Sequence, residues 1–192
     1  MQSRSDAPYS VDNYVADLRA IVAEESDDAS ITARIKPLAE RLTATPDWFK
    51  DEYRKVDEEQ GFGLHLLFEE DNHDLAVFVI AWAPGKGLAA HNHKTWAVVS
   101  GIEGQEHETN YDRLDDGSKP GFADLKKTHE ATLYPGSAVC CLPEDIHSVW
   151  NNGEAIAVSL HTYGRHLNHT GRSVFDVDAK TEMPCVVKVE KE

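Results

Sequence analysis

Apolar residues recur at helical spacing near the start of the chain. They are Val11, Tyr14, Leu18 and Ile21, at steps of three or four residues. The positions between them are mostly polar, which is the pattern of an amphipathic helix packed on a core. Ser10 precedes this stripe, and a serine hydroxyl at that place can accept a hydrogen bond from the first helical turn. The pattern predicts a first helix that begins just after Ser10.

A second stripe with the same spacing follows. It consists of Ile31, Ile35, Leu38 and Leu42. Pro37 lies inside this stripe, and we expect an interruption or a kink there, because proline lacks an N–H and its ring clashes with the preceding turn. Thr45 and Pro46 then fit the N-cap and the first position of a short third helix.

The pattern changes to short strands from about residue 61 onward. The segments, rich in Val, Ile, Thr and aromatic residues, are FGLHLLFEE, HDLAVFVIAWA, HKTWAVVSGI, GQEHETNYDRL, THEATLYP, SAVCCLP, IHSVWNN, EAIAVSLHTYG and RSVFDV. Turn signals such as Pro84-Gly85 and Pro135-Gly136 separate them, which is typical of a sandwich or barrel. We therefore expect one mainly β domain over residues 1–192, with a helical cap at 1–58 and a β-barrel at 59–192.

The charge balance limits the classes of partner. The chain carries 34 acidic and 19 basic residues, for a net charge of −15. Nucleic acids and anionic membranes are bound through basic surfaces, so we expect neither as a partner. No apolar run approaches the length of about 20 residues that a membrane helix needs. The pattern leaves the oligomeric state open.

Cysteine usage and the N-terminal residues bear on the compartment. Cys140, Cys141 and Cys185 cannot form a full disulfide framework, and two of them are adjacent. The first residues lack the apolar core of a secretion signal. Together these features predict a reducing, cytoplasmic setting.

Two histidines one residue apart are the first candidates for chemistry. His91 and His93 lie on a predicted strand, where a spacing of two directs both side chains to the same face. Both imidazoles can then reach one ion, and neutral imidazole suits Zn, Cu, Fe and Ni. Taken alone, such a pair is more typical of a solvated strand face than of a metal site.

Glycines and a third histidine give this pair a context. The first block reads G-x5-H-x-H-x10-G from Gly85 to Gly104, and the second reads G-x10-H-x3-N from Gly136 to Asn151. These blocks resemble the paired motifs of the cupin superfamily. The resemblance implies a small double-stranded β-barrel of jelly-roll type that binds one metal ion inside its mouth.

The resemblance implies an unusual set of ligands. Ala97 occupies the place where the first cupin motif usually carries a glutamate ligand, so the expected metal ligands are His91, His93 and His147. Three neutral ligands leave the full charge of a divalent ion uncompensated, which favours an anionic substrate. Zn with three histidines and a water fits these residues equally well, so they do not choose the metal.

One branch of the cupins shares the three histidines and the missing glutamate. From about residue 45 onward the chain resembles the thiol dioxygenases, which include cysteine dioxygenase and 3-mercaptopropionate dioxygenase. The most specific match is SLHTYG, in which Ser159, His161 and Tyr163 alternate along a strand and can form a hydrogen-bonded row. The resemblance implies that this row is catalytic and lies beside Fe(II).

Three positions refine the resemblance. Val98 stands where the mammalian type of cysteine dioxygenase carries a cysteine cross-linked to the active-site tyrosine. An ungapped match counted back from Trp82 puts His65 where those enzymes hold the cysteine carboxylate with an arginine. Arg172 lies eleven residues after His161, as does the carboxylate-binding arginine of the 3-mercaptopropionate enzymes, and a guanidinium binds carboxylates in a bidentate manner.

The resemblance implies a non-haem iron enzyme that adds both atoms of O2 to the sulfur of a small mercapto-carboxylic acid, giving a sulfinate. Arg172 would hold the carboxylate. His65 would meet a second polar group, which suits a dicarboxylic thiol such as mercaptosuccinate. The alternatives are a dioxygenase of cysteine or mercaptosuccinate, a cupin that uses another metal, and a non-catalytic cupin that binds or senses a ligand.

Overall fold

Two helices open the part of the chain that the computed structural model describes, residues 8–189. Helix α1 spans Val11–Glu24 and helix α2 spans Asp28–Thr43. The Ser10 hydroxyl accepts a hydrogen bond from the Asn13 N–H at 3.1 Å, while the Asn13 side chain accepts one from the Ser10 N–H at 3.3 Å. The predicted start of α1 is confirmed, with a reciprocal cap of its first turn.

Helix α2 differs from its prediction at Pro37. It continues through this residue to Thr43, so the expected interruption does not occur. Proline removes one backbone hydrogen bond, and the burial of Ile35 and Leu42, both 0 % exposed, offsets that loss. Two 3-10 turns, Pro46–Trp48 and Asp51–Arg54, take the place of the predicted third helix.

Residues 8–189 contain eleven strands, more than the nine predicted segments. The strands are β1 Phe62–Glu69, β2 Asp74–Trp82, β3 Gly87–His91, β4 Ala97–Glu103, β5 Glu106–Arg113, β6 Leu125–Leu133, β7 Ala138–Cys141, β8 Ile146–Trp150, β9 Ala157–Arg165, β10 Ser173–Asp176 and β11 Thr181–Pro184. The nine predicted segments include neither β3 nor β11.

The strands form two antiparallel sheets. One has the order β1-β2-β9-β4-β7 and the other has the order β11-β10-β3-β8-β5-β6. Apolar side chains of both sheets meet between them. This confirms the predicted fold class, a mainly β cupin double-stranded β-barrel with two helices at its N-terminal end.

Strand β2 explains why its segment is a nearly continuous apolar run. Val77 and Val79 pack with the helices in one cluster, whereas Phe78 and Ile80 pack in the cluster between the sheets. Both faces of the strand are thus buried, so alternation of apolar and polar residues is absent from its sequence. The helices cover the outer face of this sheet and leave its inner face to the barrel interior.

Two buried hydrogen bonds tie the helices to this sheet. The Tyr14 hydroxyl lies 2.7 Å from the Thr162 hydroxyl of β9, and the Thr43 hydroxyl lies 2.9 Å from that of Ser100 in β4. Among residues 8–189, no helix combines the length and apolar composition needed to cross a membrane.

We expect Tyr14→Phe to lower the free energy of unfolding by about 1–3 kcal/mol, because the Thr162 hydroxyl loses a buried partner. Tyr9→Phe is a matched control, since the Tyr9 hydroxyl bonds to Asp17 at a partly exposed site and its loss leaves a carboxylate that water can reach. Urea unfolding of both variants measures the difference. Equal losses would contradict the role given to the Tyr14 contact.

Candidate metal centre and adjoining cavity

His91, His93 and His147 converge inside the barrel. His91 ends β3 and pairs directly with His147 on β8. His93 lies two residues beyond the strand end, so the strand alternation expected for the pair does not hold there. The three side chains are nevertheless buried together, with exposed fractions of 4 %, 2 % and 4 %.

Asn92 fixes the backbone that carries His93. Its N–H donates to the Ser173 carbonyl of β10 at 3.2 Å, and its side-chain oxygen accepts from the Ser173 N–H at 2.9 Å. This two-way bond joins the segment after β3 to the neighbouring strand. These two hydrogen bonds hold the backbone at His93 in place, although β3 ends at His91.

The distances between the ring nitrogens fit a bound metal ion. His93 Nε2 and His147 Nε2 are 3.3 Å apart, and one nitrogen from each of the three rings lies within 4.8 Å of the others. Two nitrogens about 2.0–2.1 Å from one ion in tetrahedral arrangement lie about 3.3 Å apart. The donor set therefore fits one divalent ion held by the three imidazoles.

Hydrogen bonds to the other ring nitrogens orient two of these ligands. His91 Nδ1 donates to the Ala89 carbonyl at 2.9 Å, and His147 Nδ1 donates to the Glu108 carboxylate at 2.8 Å. Each bond keeps the proton on Nδ1 and leaves the Nε2 lone pair for a metal. His93 Nδ1 is buried and has no hydrogen-bond partner among residues 8–189.

Burial favours the neutral form of His91 and His93. It lowers the pKa of His91 and His93 well below the ordinary value, and the neighbouring charges of His147 and Arg172 lower both further. Metal binding requires an unprotonated nitrogen, so these shifts favour ligation over protonation near neutral pH.

Ser159, His161 and Tyr163 form a continuous hydrogen-bonded row along β9. Ser159 Oγ is 2.8 Å from His161 Nε2, and His161 Nδ1 is 2.8 Å from the Tyr163 hydroxyl. The Tyr163 ring lies edge-on to His93, with 5.2 Å between the ring centroids. The row thus ends against the histidine cluster, as the alternation along SLHTYG predicts.

Arg172 is buried beside the same cluster. The residue is only 3 % exposed, and its Nε and Nη2 atoms have no hydrogen-bond partner among residues 8–189. A buried guanidinium without a counter-ion is unfavourable, so this position favours an anionic ligand.

The cavity that these residues share is mainly apolar. It lies between the two sheets and has room of about 20 Å³ for the centre of a water-sized sphere. Its polar groups are the three clustered histidines, His161, Tyr163 and Arg172; the apolar lining is Phe62, Leu64, Ile80, Trp82, Leu88, Val149, Leu167 and Val187. No carboxylate lies among the described residues that line it.

The structure does not bring His65 to this cavity. Leu64 lines the cavity, and the adjacent His65 points to the other side of β1, with Nε2 2.9 Å from the Lys55 carbonyl. Its ring lies against Tyr53, 5.8 Å away between centroids. The ungapped count from Trp82 back to His65 passes through the turn between β1 and β2 and assumes its length. An error of one residue in that length moves a strand side chain to the opposite face of the sheet.

Two functional candidates have no counterpart in the sequence prediction. Glu108 bonds to His147 across the β5–β8 pair, in which Asn110 is the direct neighbour of His147. A diagonal contact of this kind depends on strand register, which the sequence does not specify. Val187 reaches the cavity from the segment after β11, where no motif marks it.

Comparisons with known proteins identify a family. A family model described as cysteine dioxygenase type I matches residues 1–173. An uncharacterized conserved protein with a double-stranded β-helix domain from Klebsiella pneumoniae is 19 % identical, with a TM-score of 0.45 over 66 % of this chain and 94 % of that one. A recombinant oxalate oxidase in complex with glycolate is 16 % identical, with a TM-score of 0.46 over 66 % and 62 %. At these identities and scores the likeness to the two solved structures extends to no function.

We expect Glu108→Ala to weaken metal binding by about 10- to 100-fold, because His147 loses the acceptor that orients it. Competition with a chromophoric chelator measures this for Zn(II) and Fe(II). Glu130→Ala is the matched control, since Glu130 is an exposed carboxylate on the adjacent strand β6 that pairs with Lys127. Unchanged affinity in Glu108→Ala would show that this bond does not support the site.

Proposed function

The chain belongs to the cysteine dioxygenase type I family, and from that premise we propose that it is an Fe(II)-dependent thiol dioxygenase acting on a small mercapto-carboxylic acid. In the reaction R–SH + O2 → R–SO2H, both oxygen atoms end on sulfur, which is oxidised as O2 is reduced. The observation that carries the proposal is the shared cavity of three buried histidines and one buried, unpaired arginine.

His91, His93 and His147 are the residues that would hold the iron. Bound there, Fe(II) would supply a positive charge that favours the thiolate form of the substrate and a redox-active centre for O2. The protein side of the site contributes no negative ligand, because Ala97 stands at the usual place of the glutamate and is itself fully buried. An anionic sulfur is therefore the complement that this donor set favours.

Arg172 would bind the carboxylate of the substrate. Its free Nε and Nη2 form the edge of the guanidinium that matches a carboxylate in a bidentate pair. Binding there would hold the sulfur near the histidine cluster and supply orientation for the reaction.

The apolar lining supports a substrate without an amino group. The ammonium of cysteine would enter a cavity whose described lining offers Arg172 and imidazoles and no carboxylate. A buried cation without a partner is costly, and a site that leaves one unpaired discriminates strongly. A 3-mercaptopropionate-like thiol has no ammonium and meets no such penalty. Mercaptosuccinate carries a second carboxylate, and Leu64, which lines the cavity where His65 was expected, cannot form a hydrogen bond with it.

Tyr163 would act as a hydrogen-bond donor. Burial raises the pKa of its hydroxyl well above the ordinary value, so the proton stays in place. Burial lowers the pKa of His161 to about 3, which keeps this imidazole neutral. Ser159 and His161 would then fix the direction of the hydroxyl without exchanging charge with it.

The cellular setting remains a prediction. Cys140, Cys141 and Cys185 are free cysteines, and burial raises the pKa of all three thiols, which makes them poor nucleophiles. Thiols of this kind support a reducing compartment such as the cytoplasm.

Oxygen uptake by Fe(II)-loaded protein tests the proposal with four thiols: 3-mercaptopropionate, cysteine, cysteamine and mercaptosuccinate. We expect the highest kcat/KM with 3-mercaptopropionate and formation of its sulfinate. Loading with Zn(II) is the control for a site that binds metal without oxidising thiols. Absence of uptake with every thiol in the Fe(II) form would refute the proposal and favour a cupin with another metal or a non-catalytic one.

We expect Arg172→Gln to lower kcat/KM for 3-mercaptopropionate by about 100-fold, equivalent to about 2.7 kcal/mol for the loss of charge-assisted hydrogen bonds. Activity with cysteamine, which is low in the wild type and involves no carboxylate, should not fall in this variant. Arg165→Gln is the control, because Arg165 is an exposed arginine that pairs with Asp74. A similar loss with both thiols would assign Arg172 a structural role instead.

A further inference from the structure

A buried carboxyl lies at the end of the hydrogen-bonded row that is remote from Tyr163. Glu106, on β5, is 4 % exposed, and Ser159 of β9, on the opposite sheet, lies near enough to lower the pKa of its carboxyl. Glu106 and His161 line the same small internal cavity. Glu106 Oε1 and the Trp82 indole N–H are both buried and have no hydrogen-bond partner among residues 8–189. The function proposed above assigns no task to this group.

The row between Glu106 and Tyr163 must have a direction. A neutral imidazole has one nitrogen that donates and one that accepts, and a hydroxyl can donate a single hydrogen bond. His161 is neutral, so if one of its nitrogens donates, the other accepts. The distances of 2.8 Å on both sides of this ring are compatible with either direction.

An ionised Glu106 imposes one direction. The carboxylate can only accept, so a hydrogen bond between the two groups would run from the Ser159 hydroxyl to Glu106. Ser159 then accepts from His161 Nε2–H, and His161 Nδ1 accepts from the Tyr163 hydroxyl. The proton of Tyr163 is thereby directed toward His161 and away from the substrate cavity.

A neutral Glu106 permits the reverse direction. Its carboxylic O–H donates to Ser159, while its carbonyl oxygen can accept from the Trp82 indole N–H. Ser159 donates to His161 Nε2, and His161 Nδ1–H donates to the Tyr163 oxygen. The Tyr163 hydroxyl then has its own proton free for a ligand in the cavity.

The surroundings of Glu106 favour the neutral form. Burial raises its pKa to about 7, and the nearby charge of Glu108 on the same strand adds to this effect, while Ser159 and Trp82 act in the opposite sense. His147 from β8 and His161 from β9 are the other titratable groups that line the same cavity. No Arg or Lys lies among the described residues of that lining.

We propose that Glu106, as a neutral carboxylic acid, is a positioning residue that directs the Ser159–His161–Tyr163 row so that the Tyr163 hydroxyl donates into the substrate cavity. The consequence for catalysis rests on the proposed thiol dioxygenase function. The direction of the row does not, and it is measurable without any turnover.

The tautomer of His161 reports this direction. Nitrogen NMR of full-length protein labelled with ¹⁵N-histidine and loaded with diamagnetic Zn(II) distinguishes a proton on Nδ1 from one on Nε2. We expect the wild type to carry the proton on Nδ1 at about pH 5.5 and on Nε2 at about pH 8.5, on either side of the pKa of Glu106. Glu106→Gln should keep it on Nδ1 at both pH values, because the amide N–H₂ replaces the acid as donor to Ser159.

The control is Glu130→Gln, which removes an exposed carboxylate and should follow the wild type. A proton on Nε2 in the wild type at about pH 5.5 would overturn the proposal. So would a wild type that does not change tautomer, or a Glu106→Gln variant that changes it as the wild type does. The wild-type titration needs no variant, so the result does not depend on how well Glu106→Gln folds.

The kinetic counterpart compares the same proteins with Fe(II) and 3-mercaptopropionate. We expect kcat of the wild type to fall about tenfold as Glu106 ionises, which corresponds to the loss of about one hydrogen bond. KM should change little, because Arg172 still binds the substrate carboxylate. In Glu106→Gln, kcat should stay near the acid-side value of the wild type across this range. A uniform loss at every pH would assign Glu106 a merely structural role. If no thiol is turned over by any form, the proposed function fails while the tautomer measurement still decides the direction of the row.

Discussion

A buried positive charge without a counter-ion is the constraint on which the account of this site depends. Arg172 lies inside the barrel with two unpaired nitrogens, and the described lining of the cavity that it shares with the three histidines includes no carboxylate. A divalent ion bound there would add to this excess of positive charge. A ligand with both a thiolate and a carboxylate would neutralise it at two points, which is the reason for proposing a mercapto-carboxylic acid and not a neutral or cationic thiol.

The helices at the N-terminal end make this interior possible. Because α1 and α2 cover the outer face of the sheet formed by β2, β9 and their neighbours, β9 is buried on both faces. Thr162 faces outward to Tyr14, whereas His161 and Tyr163 face inward to the cavity. The Tyr14–Thr162 hydrogen bond holds the outer face of β9, and the inner face of the same strand carries the row. The packing of the helices therefore supports the geometry of the site through β9.

The sequence allowed much of the site to be predicted because its members lie at short, regular spacings. Ser159, His161 and Tyr163 alternate on one strand, and the strand period places them in a row without further information. His147 was predicted because the block from Gly136 to Asn151 resembles the second cupin motif. The two stripes of the helical cap followed equally directly from their period.

The rest depended on contacts between distant segments. His65 was assigned by counting through a turn of unknown length, and the observed register brings Leu64 to the cavity in its place. Glu106 lies near Ser159 of the opposite sheet, and Glu108 bonds to His147 of the neighbouring strand. From the sequence alone, two acidic residues on one strand resemble an ordinary solvated edge, because the register that brings them to their partners is not known. His93 was placed on a strand that in fact ends at His91, and its inward position comes from the bonds between Asn92 and Ser173.

The fate of dioxygen in the reaction tests the central claim most directly. Fe(II)-loaded protein would be supplied with 3-mercaptopropionate under ¹⁸O2, and the mass of the product would be measured by mass spectrometry. The account predicts a sulfinate that carries two ¹⁸O atoms, with one O2 consumed for each product molecule. A disulfide as the product, or a sulfinate with oxygen derived from water, would contradict it.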